Sequence, residues 1–384
     1  MPGIQLLPLV QKLKAAIGIR RVSGMSGCTA LVLQQIRYLS SVGMTVDVFS
    51  ERPDTAAIEA AGGRVIRLRR RPGPRYWARR SFARRVADRT SGAGYQMVIG
   101  HGDLLEQDCL FVHNPVEWER ELAGRGGRKS IDSLDRFHRL MYSRGRYRLL
   151  IANSNLVARD LEQRYDLDPQ CIHIAYPGYD PTRFSIDHRD VLRPLVRKEL
   201  AIGDCFLIGF VTSGNFPMRG ADILVDTIAR LSPSLQRDVR VLVVGSAGNL
   251  SLMNRLFESR NLRDLMMGRG KIADVERYYH ALDLMLHPAR LEPFGLVVLE
   301  SIGCGTPLLT SRRVGASELL SGHGVIDSPD AGQFAESLAT LIADPEALER
   351  LIDQQRKAVL QRTWQAYAED CAAIWRGTGL MPAP

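Results

Sequence analysis

The sequence predicts an α/β chain made of two parallel-sheet domains, and three observations carry that expectation. The chain has 384 residues, which exceeds one ordinary domain and suits two. Short apolar runs recur along it, among them LLIA at 149–152, FLIGFV at 206–211 and VRVLVVG at 239–245. Runs of that length read as strands buried on both faces, the habit of parallel sheets. Glycine- or proline-bearing loops and helix-favouring segments separate them, as in successive β-α-β units.

The clearest such unit is 283–320. Leu284–Leu286 reads as a buried strand. Pro288 and Pro293 keep a helix from running through the next segment. Glu292 follows, and Gly295 lets the backbone approach a ligand closely. Gly295–Ile302 favours helix, Gly303 and Gly305 end it, and Pro307–Leu309 supplies the next strand.

Glu292 and Glu300 are eight positions apart in this unit, one before the helix and one on it. The amides of Phe294, Gly295 and Leu296 open the helix and suit a diphosphate. Ionised carboxylates only accept hydrogen bonds, so the two glutamates suit sugar hydroxyls. The plainer alternative is two ordinary glutamates, one on a solvated helix face. The surrounding HPA, EPFG and CGTP strings are more specific. Together they resemble the donor signature of retaining glycosyltransferases of the GT-B fold. That resemblance implies two Rossmann-like domains facing each other across a cleft. It implies boundaries at 1–185 for the acceptor side, 186–355 for the nucleotide-sugar side, and 356–384 for a helix returning to the first domain. Within GT-B, the segments LHPA, SGNF-x-x-RG and VIG…FVHNP resemble the lipopolysaccharide core glucosyltransferases most.

From the N-terminus, helical character at Leu9–Ala16 runs into a first strand expected at Ala15–Val22. The loop Ser23–Gly27 and a helix over Thr29–Val42 follow. The family's matching loop carries two adjacent glycines near the donor diphosphate. Here Gly27 is the second, and Ser26 replaces the first. Met44–Ser50 and Val65–Leu68 are further strands. Residues 64–89 hold eleven arginines and one acid, with Tyr76, Trp77, Phe82 and Val86 interleaved. A helix there carries an apolar face flanked by arginines, as interfacial membrane helices do. Arg69, Arg70, Trp77, Arg79, Arg80 and Phe82 are the membrane-contact candidates; the alternative is a solvated arginine-rich helix.

Met97–Ile99 is a buried strand, followed by His101. Cys109–Val112 is the next strand, and His113 stands at its carboxyl end, where α/β folds place ligands. The resemblance makes His113 a catalytic candidate facing the donor sugar, and a structural histidine is the alternative. The run IANSNLVARDLEQRYDLDPQCIHIAYPGYDPTRF resembles the last unit of the family's N-domain. Asp166 and Asp168 in it fit a helix-to-strand turn better than a metal site.

After the second domain's first strand, Phe206–Val211, comes the loop Thr212–Gly220. Gly214, Asn215 and Arg219 are its donor-binding candidates. The family has lysine where this chain has Arg219, and arginine can grip phosphate bidentately. A helix is expected at Asp274–Ala281, and Ile272, beside Lys271, stands where the family holds the base. Residues 331–375 read as helical, with Trp364, Tyr367 and Trp375 as anchors for the terminal helix.

Composition narrows the chemistry further. The six cysteines are scattered with no C-x-x-C pair, which argues against a zinc site or a disulfide framework. Neither an apolar run long enough to span a membrane nor the order of a signal peptide is evident. The net charge of +9 rests on 45 arginines against 6 lysines, and such a protein favours phosphorylated or anionic partners. The expected activity is retaining, metal-independent transfer of a hexose from a nucleotide diphosphate sugar, a UDP-sugar first, to a glycan or glycolipid acceptor. Glu292, Arg219 and His113 are the catalytic candidates, and no cofactor beyond the substrate is expected. A cytoplasmic protein, with an anionic membrane surface as candidate partner, fits this reading. The rivals are a GT-B epimerase or phosphorylase, and a non-catalytic basic membrane- or nucleic-acid-binding protein.

Overall fold

A computed structural model describes residues 13–22, 24, 27–124, 133–143, 145–212, 214–270 and 272–382. Of the first glycine-rich loop, Ser23, Met25 and Ser26 lie outside the described residues, as do Leu9 to Lys12 and Lys271.

The chain forms two compact units that interleave along the sequence. The first comprises Met1–Phe111, Ile131–Ile151 and Ala372–Pro384; the second comprises Val112–Ser130 and Ala152–Cys371. The expected partition cut at 185/186 and at 355/356. Residues 152–185 go with the second unit, where their polar groups bond. Ser154 Oγ donates to the Pro293 carbonyl at 2.7 Å. The amides of Asn155 and Leu156 donate to the Glu318 carboxylate at 2.9 and 2.7 Å. Glu318 thus caps the start of the Asn155–Tyr165 helix, where a negative charge is favourable.

In the first unit the strands are β1 (Lys14–Gly18), β2 (Thr45–Ser50), β3 (Gly63–Arg67), β4 (Met97–Gly100), β5 (Cys109–Val112) and β6 (Leu149–Ala152). They run in the order β3-β2-β1-β4-β5-β6. β1 is shorter than the expected Ala15–Val22. The regular strand stops near Arg20, whose amide donates to Asp103 Oδ2 at 2.9 Å, and beyond it only an isolated parallel bridge joins Arg21 to Arg52.

The arginine-rich segment is a helix over Arg75–Thr90, and its apolar face is already occupied. Phe82 and Val86 pack with Ala16, Phe49, Leu68 and Leu104 in the unit's own core. Phe82 is therefore corrected as a membrane-contact candidate, since it is 0% exposed. Arg79 is corrected too, because its guanidinium is held by Asp103 and the Gly102 carbonyl. Arg69, Arg70, Arg80 and Trp77 remain on the surface.

The second unit contains the short β7 (Ile172–Ile174) and a six-stranded sheet. The sheet's strands are β8 (Phe206–Val211), β9 (Val239–Val244), β10 (Met266–Arg269), β11 (Leu284–His287), β12 (Leu308–Ser311) and β13 (Val325–Ile326). Their order is β10-β9-β8-β11-β12-β13. Alternate residues of the apolar strands feed two cores, one on each face. Ile208, Phe210, Val241 and Val243 join one core. Leu207, Val211, Leu242 and Val244 join the other. The order reverses between β8 and β11, which pair in parallel through Leu284↔Ile208 and Met285↔Gly209. A ligand crevice forms at such a switch point, beyond the carboxyl ends of the strands.

The last helix spans Trp364–Gly377. Trp364 and Tyr367 fall in the second unit and Trp375 in the first. Trp375 is fully buried, edge-on to Phe111 at 6.3 Å, with its indole N–H donating to Cys109 Sγ at 3.4 Å. Trp375→Ala is expected to destabilise the protein by about 3–5 kcal/mol, the scale of a large aromatic cavity. Urea denaturation of both forms measures this, and an unchanged midpoint would contradict the packing.

Candidate active site

Two loops leave the carboxyl ends of β8 and β11, and each is tied down by its own residues. The β8 loop is anchored by Phe216, 0% exposed and edge-on to Phe210 at 5.0 Å. The Gly214 amide donates to Thr212 Oγ1 at 3.1 Å and its carbonyl accepts from Asn249 Nδ2 at 3.1 Å. The exposed Asn215 accepts from the Arg219 amide through its carbonyl at 2.9 Å. Gly220 ends the loop at φ +77°, and a Cβ there would lie 2.0 Å from the Pro288 carbonyl oxygen. Only glycine meets both demands.

The β11 loop runs from Pro288 to Gly295 and is zipped to the segment after β12. Glu292 N donates to Arg313 O at 2.9 Å, Gly315 N to Glu292 O at 3.0 Å, and Ala316 N to Phe294 O at 2.8 Å. Arg290 fastens the two loops together. It makes a bidentate pair with Asp222, both contacts 2.6 Å, and donates to Pro217 O at 3.0 Å. Burial raises the Asp222 carboxyl, but the hydrogen bonds and charge of Arg290 outweigh it and hold it below its ordinary range.

This scaffold brings Arg219 and Glu292 together. Arg219 Nε meets Glu292 Oε2, and Arg219 Nη1 donates to the Leu291 carbonyl at 2.5 Å. The two side chains are 12% and 16% exposed. Burial pushes the Glu292 carboxyl up to about 7; Arg219 opposes the shift and Glu119 adds to it. Burial likewise raises Glu119, on the helix Val116–Leu122, against the pull of Arg219. His287, the last residue of β11, is fully buried, with Nε2 3.8 Å from Glu292 Oε2.

Gly295, at φ +93°, precedes the helix Leu296–Gly303. Among the described residues, the amides of Phe294, Gly295 and Leu296 have no backbone acceptor, as befits the first amides of a helix. Glu300 sits in a second polar cluster. Its Oε2 accepts from the Tyr279 hydroxyl at 3.1 Å. Burial pushes its carboxyl up to about 7, Tyr279 and Arg183 oppose that, and Glu276 adds to it. Arg183 is bound to Glu276 at 2.9 and 2.7 Å. Ile272 and Leu296 pack, partly buried, on the core that holds Tyr279 and Phe294.

His113 follows β5 directly, and burial pushes its imidazole down to about 4, so it is neutral near pH 7. Gly27 opens the helix Gly27–Ser41 of the first unit. Sequence reasoning missed His287, Glu119 and Tyr279. The HPA string pointed toward His287, whereas Glu119 and Tyr279 carried no motif.

Residues 196–358 match the model of the family described as Glycosyl transferases group 1, and residues 25–183 match Glycosyltransferase Family 4. The lipopolysaccharide glucosyltransferase WaaG of Escherichia coli K12 is 25% identical over 299 residues, 77% of this chain and 74% of that protein. The D-inositol 3-phosphate glycosyltransferase of Salinispora tropica is 31% identical over 239 residues, 58% of this chain and 47% of that protein. The chain spans about half the length of the first curated relatives it matches. The crystal structure of a WaaG involved in lipopolysaccharide biosynthesis superposes with a TM-score of 0.79 at 20% identity, over 94% of this chain and 99% of that one. That of Anabaena Alr3699/HepE with UDP and glucose gives 0.77 at 18% identity, over 95% and 100%. At these identities the structural likeness is one of fold.

A carboxyl raised from its ordinary 4.5 to about 7 favours the folded state fully below 4.5. That contribution is lost as the pH climbs through 7. The melting temperature of the unliganded protein is therefore expected to fall between about pH 5 and pH 8. Glu300→Gln, which cannot ionise, should show a smaller fall. Equal slopes for the two proteins would remove Glu300 from the explanation.

Proposed function

We propose, on the premise that the chain belongs to the GT-B glycosyltransferases and resembles the lipopolysaccharide core glucosyltransferases, that it transfers a hexose from a nucleotide diphosphate sugar with retention at the anomeric carbon. The observation that carries this reading is the Arg219–Glu292 pair beside the uncapped helix start, at the β8/β11 switch point. A cation and aligned amides serve a diphosphate, and a carboxylate among them serves a hydroxyl.

In this reading Arg219 and the amides of Phe294, Gly295 and Leu296 hold the diphosphate and stabilise the charge that grows on it as it leaves. These groups take the place a metal fills elsewhere. Glu292 accepts from sugar hydroxyls and Glu300 from the ribose. Gly214, Asn215 and Ile272 of the second unit serve the donor, and neutral His113 of the same unit orients the sugar. The bond from the anomeric carbon to the leaving phosphate oxygen breaks. The bond to the acceptor oxygen forms on the same face, and the acceptor proton passes to the leaving phosphate. UDP-glucose is the first donor to test, since WaaG is described as a glucosyltransferase and the Anabaena protein was crystallised with UDP and glucose. A glycan or glycolipid of the cell envelope is the acceptor class that fits the WaaG relationship.

A second contact is favoured by Trp77, 60% exposed, with Arg80 over its ring and with Arg69 and Arg70 exposed on the preceding segment. We infer that these residues rest on an anionic membrane surface while the apolar side of the Arg75–Thr90 helix stays in its own core. The protein then works at the cytoplasmic face of a membrane without crossing it. No described helix is long and apolar enough to cross one.

Glu292→Ala and Arg219→Ala should each lower turnover of the preferred nucleotide sugar by about 100-fold or more, the scale of a lost transition-state contact. Full turnover in either variant would end the assignment. NMR of the product linkage tests retention, and inversion would overturn it. Replacing Arg69, Arg70, Trp77 and Arg80 together should abolish flotation with phosphatidylglycerol vesicles. Replacing the buried-side pair Arg79 and Arg85 should not do so in protein that remains folded. Unchanged flotation of the fourfold variant would exclude this surface.

A further inference from the structure

The Arg219–Glu292 pair raises a question of succession. In the reading above the cation serves the donor's diphosphate and the carboxylate serves its sugar. In the unliganded protein the same two groups satisfy each other, and Arg219 also holds the Leu291 carbonyl. When a diphosphate draws Arg219 away, the Glu292 carboxylate loses its cation while it is only 16% exposed. An ionised carboxylate left without a partner in such a place either takes up a proton or needs another donor.

One neighbour is placed to give that carboxylate a hydrogen bond instead. His287 is 0% exposed. Among the described residues neither of its ring nitrogens has a hydrogen-bond partner. Buried polar atoms in that condition are uncommon and call for an explanation. Its Nε2 lies 3.8 Å from Glu292 Oε2, beyond hydrogen-bond range by less than about 1 Å. The ring cannot easily go elsewhere. Its backbone lies in the β11–β12 ladder, opposite Thr310, and its carbonyl accepts from Thr310 Oγ1 at 3.1 Å. Burial, then the charge of Arg219, push the imidazole down to about 3. It is therefore neutral, with a single N–H to give.

We propose that His287 is a positioning residue for the transfer: when the donor's diphosphate takes Arg219, His287 donates its Nε2–H to Glu292 and holds that carboxylate toward the sugar hydroxyl. Glu292 thereby keeps one partner in each state, Arg219 before the donor arrives and His287 after. The exchange moves no proton between residues and makes no covalent bond. It rests on the roles given above to Arg219 and Glu292.

The test separates the sugar from the diphosphate. Calorimetry is run with UDP and UDP-glucose, and with ADP/ADP-glucose and GDP/GDP-mannose beside them; the pair that binds is used. His287→Ala is expected to leave nucleoside diphosphate affinity within about twofold. It should weaken the nucleotide sugar by about tenfold or more, the scale of a lost hydrogen bond to a charged group. His287→Gln, which keeps an N–H donor, should recover most of that loss. In a Glu292→Gln background, His287→Ala should cost little more, because the two act as one unit. Equal weakening of both ligands, no weakening of either, or additive losses in the double variant would overturn the proposal. If His287→Ala does not fold, His287→Gln against His287→Leu carries the comparison. Normal nucleotide-sugar binding by Glu292→Ala would instead overturn the role of Glu292 itself. A chain that binds none of the pairs would overturn the donor assignment and this inference together.

Discussion

The parallel pairing of β8 with β11 is the constraint on which the candidate site depends. These strands are far apart in sequence, yet their hydrogen bonding through Leu284 and Ile208 places two outgoing loops side by side. Each loop then needs a reason to stay, because a mobile loop would scatter its polar groups. Phe216 supplies it for one, and the bonds to Arg313, Gly315 and Ala316 supply it for the other. The bidentate Arg290–Asp222 pair locks the two together. Arg219 and Glu292 meet because the two loops that carry them are already held.

The electrostatics follow from that rigidity. Glu292 and Glu300 are both largely enclosed, and both are lifted to about 7 by burial. Two carboxyls so shifted cost the folded protein stability as the pH rises, and shifts of this kind cluster at functional sites. Arg219 eases the first and the Tyr279 hydroxyl the second. The candidate site keeps its polarity at some expense of stability, as functional sites commonly do.

The arginine-rich helix illustrates what composition leaves open. Its arginines suggested a face lying on a membrane, but they divide by surroundings. Arg79 goes to Asp103 and Arg85 to Glu51, while Phe82 and Val86 belong to the core. The surface set is smaller: Arg69, Arg70, Trp77 and Arg80, with Arg80 over the Trp77 ring. Similarly, Arg193 and Arg197 meet Asp283 and the Ala281 carbonyl, so they brace the second unit.

The sequence alone determined the class of fold and most of its strands, because buried parallel strands are short apolar runs that few other structures explain. Phe206–Val211 and Leu149–Ala152 are strands over the stretches expected. The glutamate spacing and the glycine before the helix were legible for the same local reason: a helix start is specified by its own few residues. What only the tertiary structure decided was company. That Arg219 would rest on Glu292, that His287 would wait 3.8 Å away and that Tyr279 would bond Glu300 all follow from strands and helices meeting across the sheet. So does the grouping of residues 152–185 with the second unit, which rests on Glu318 capping a helix more than 140 positions before it in the chain. Contacts of that kind leave no periodicity or composition behind, since each partner satisfies its own local rules wherever the other lies.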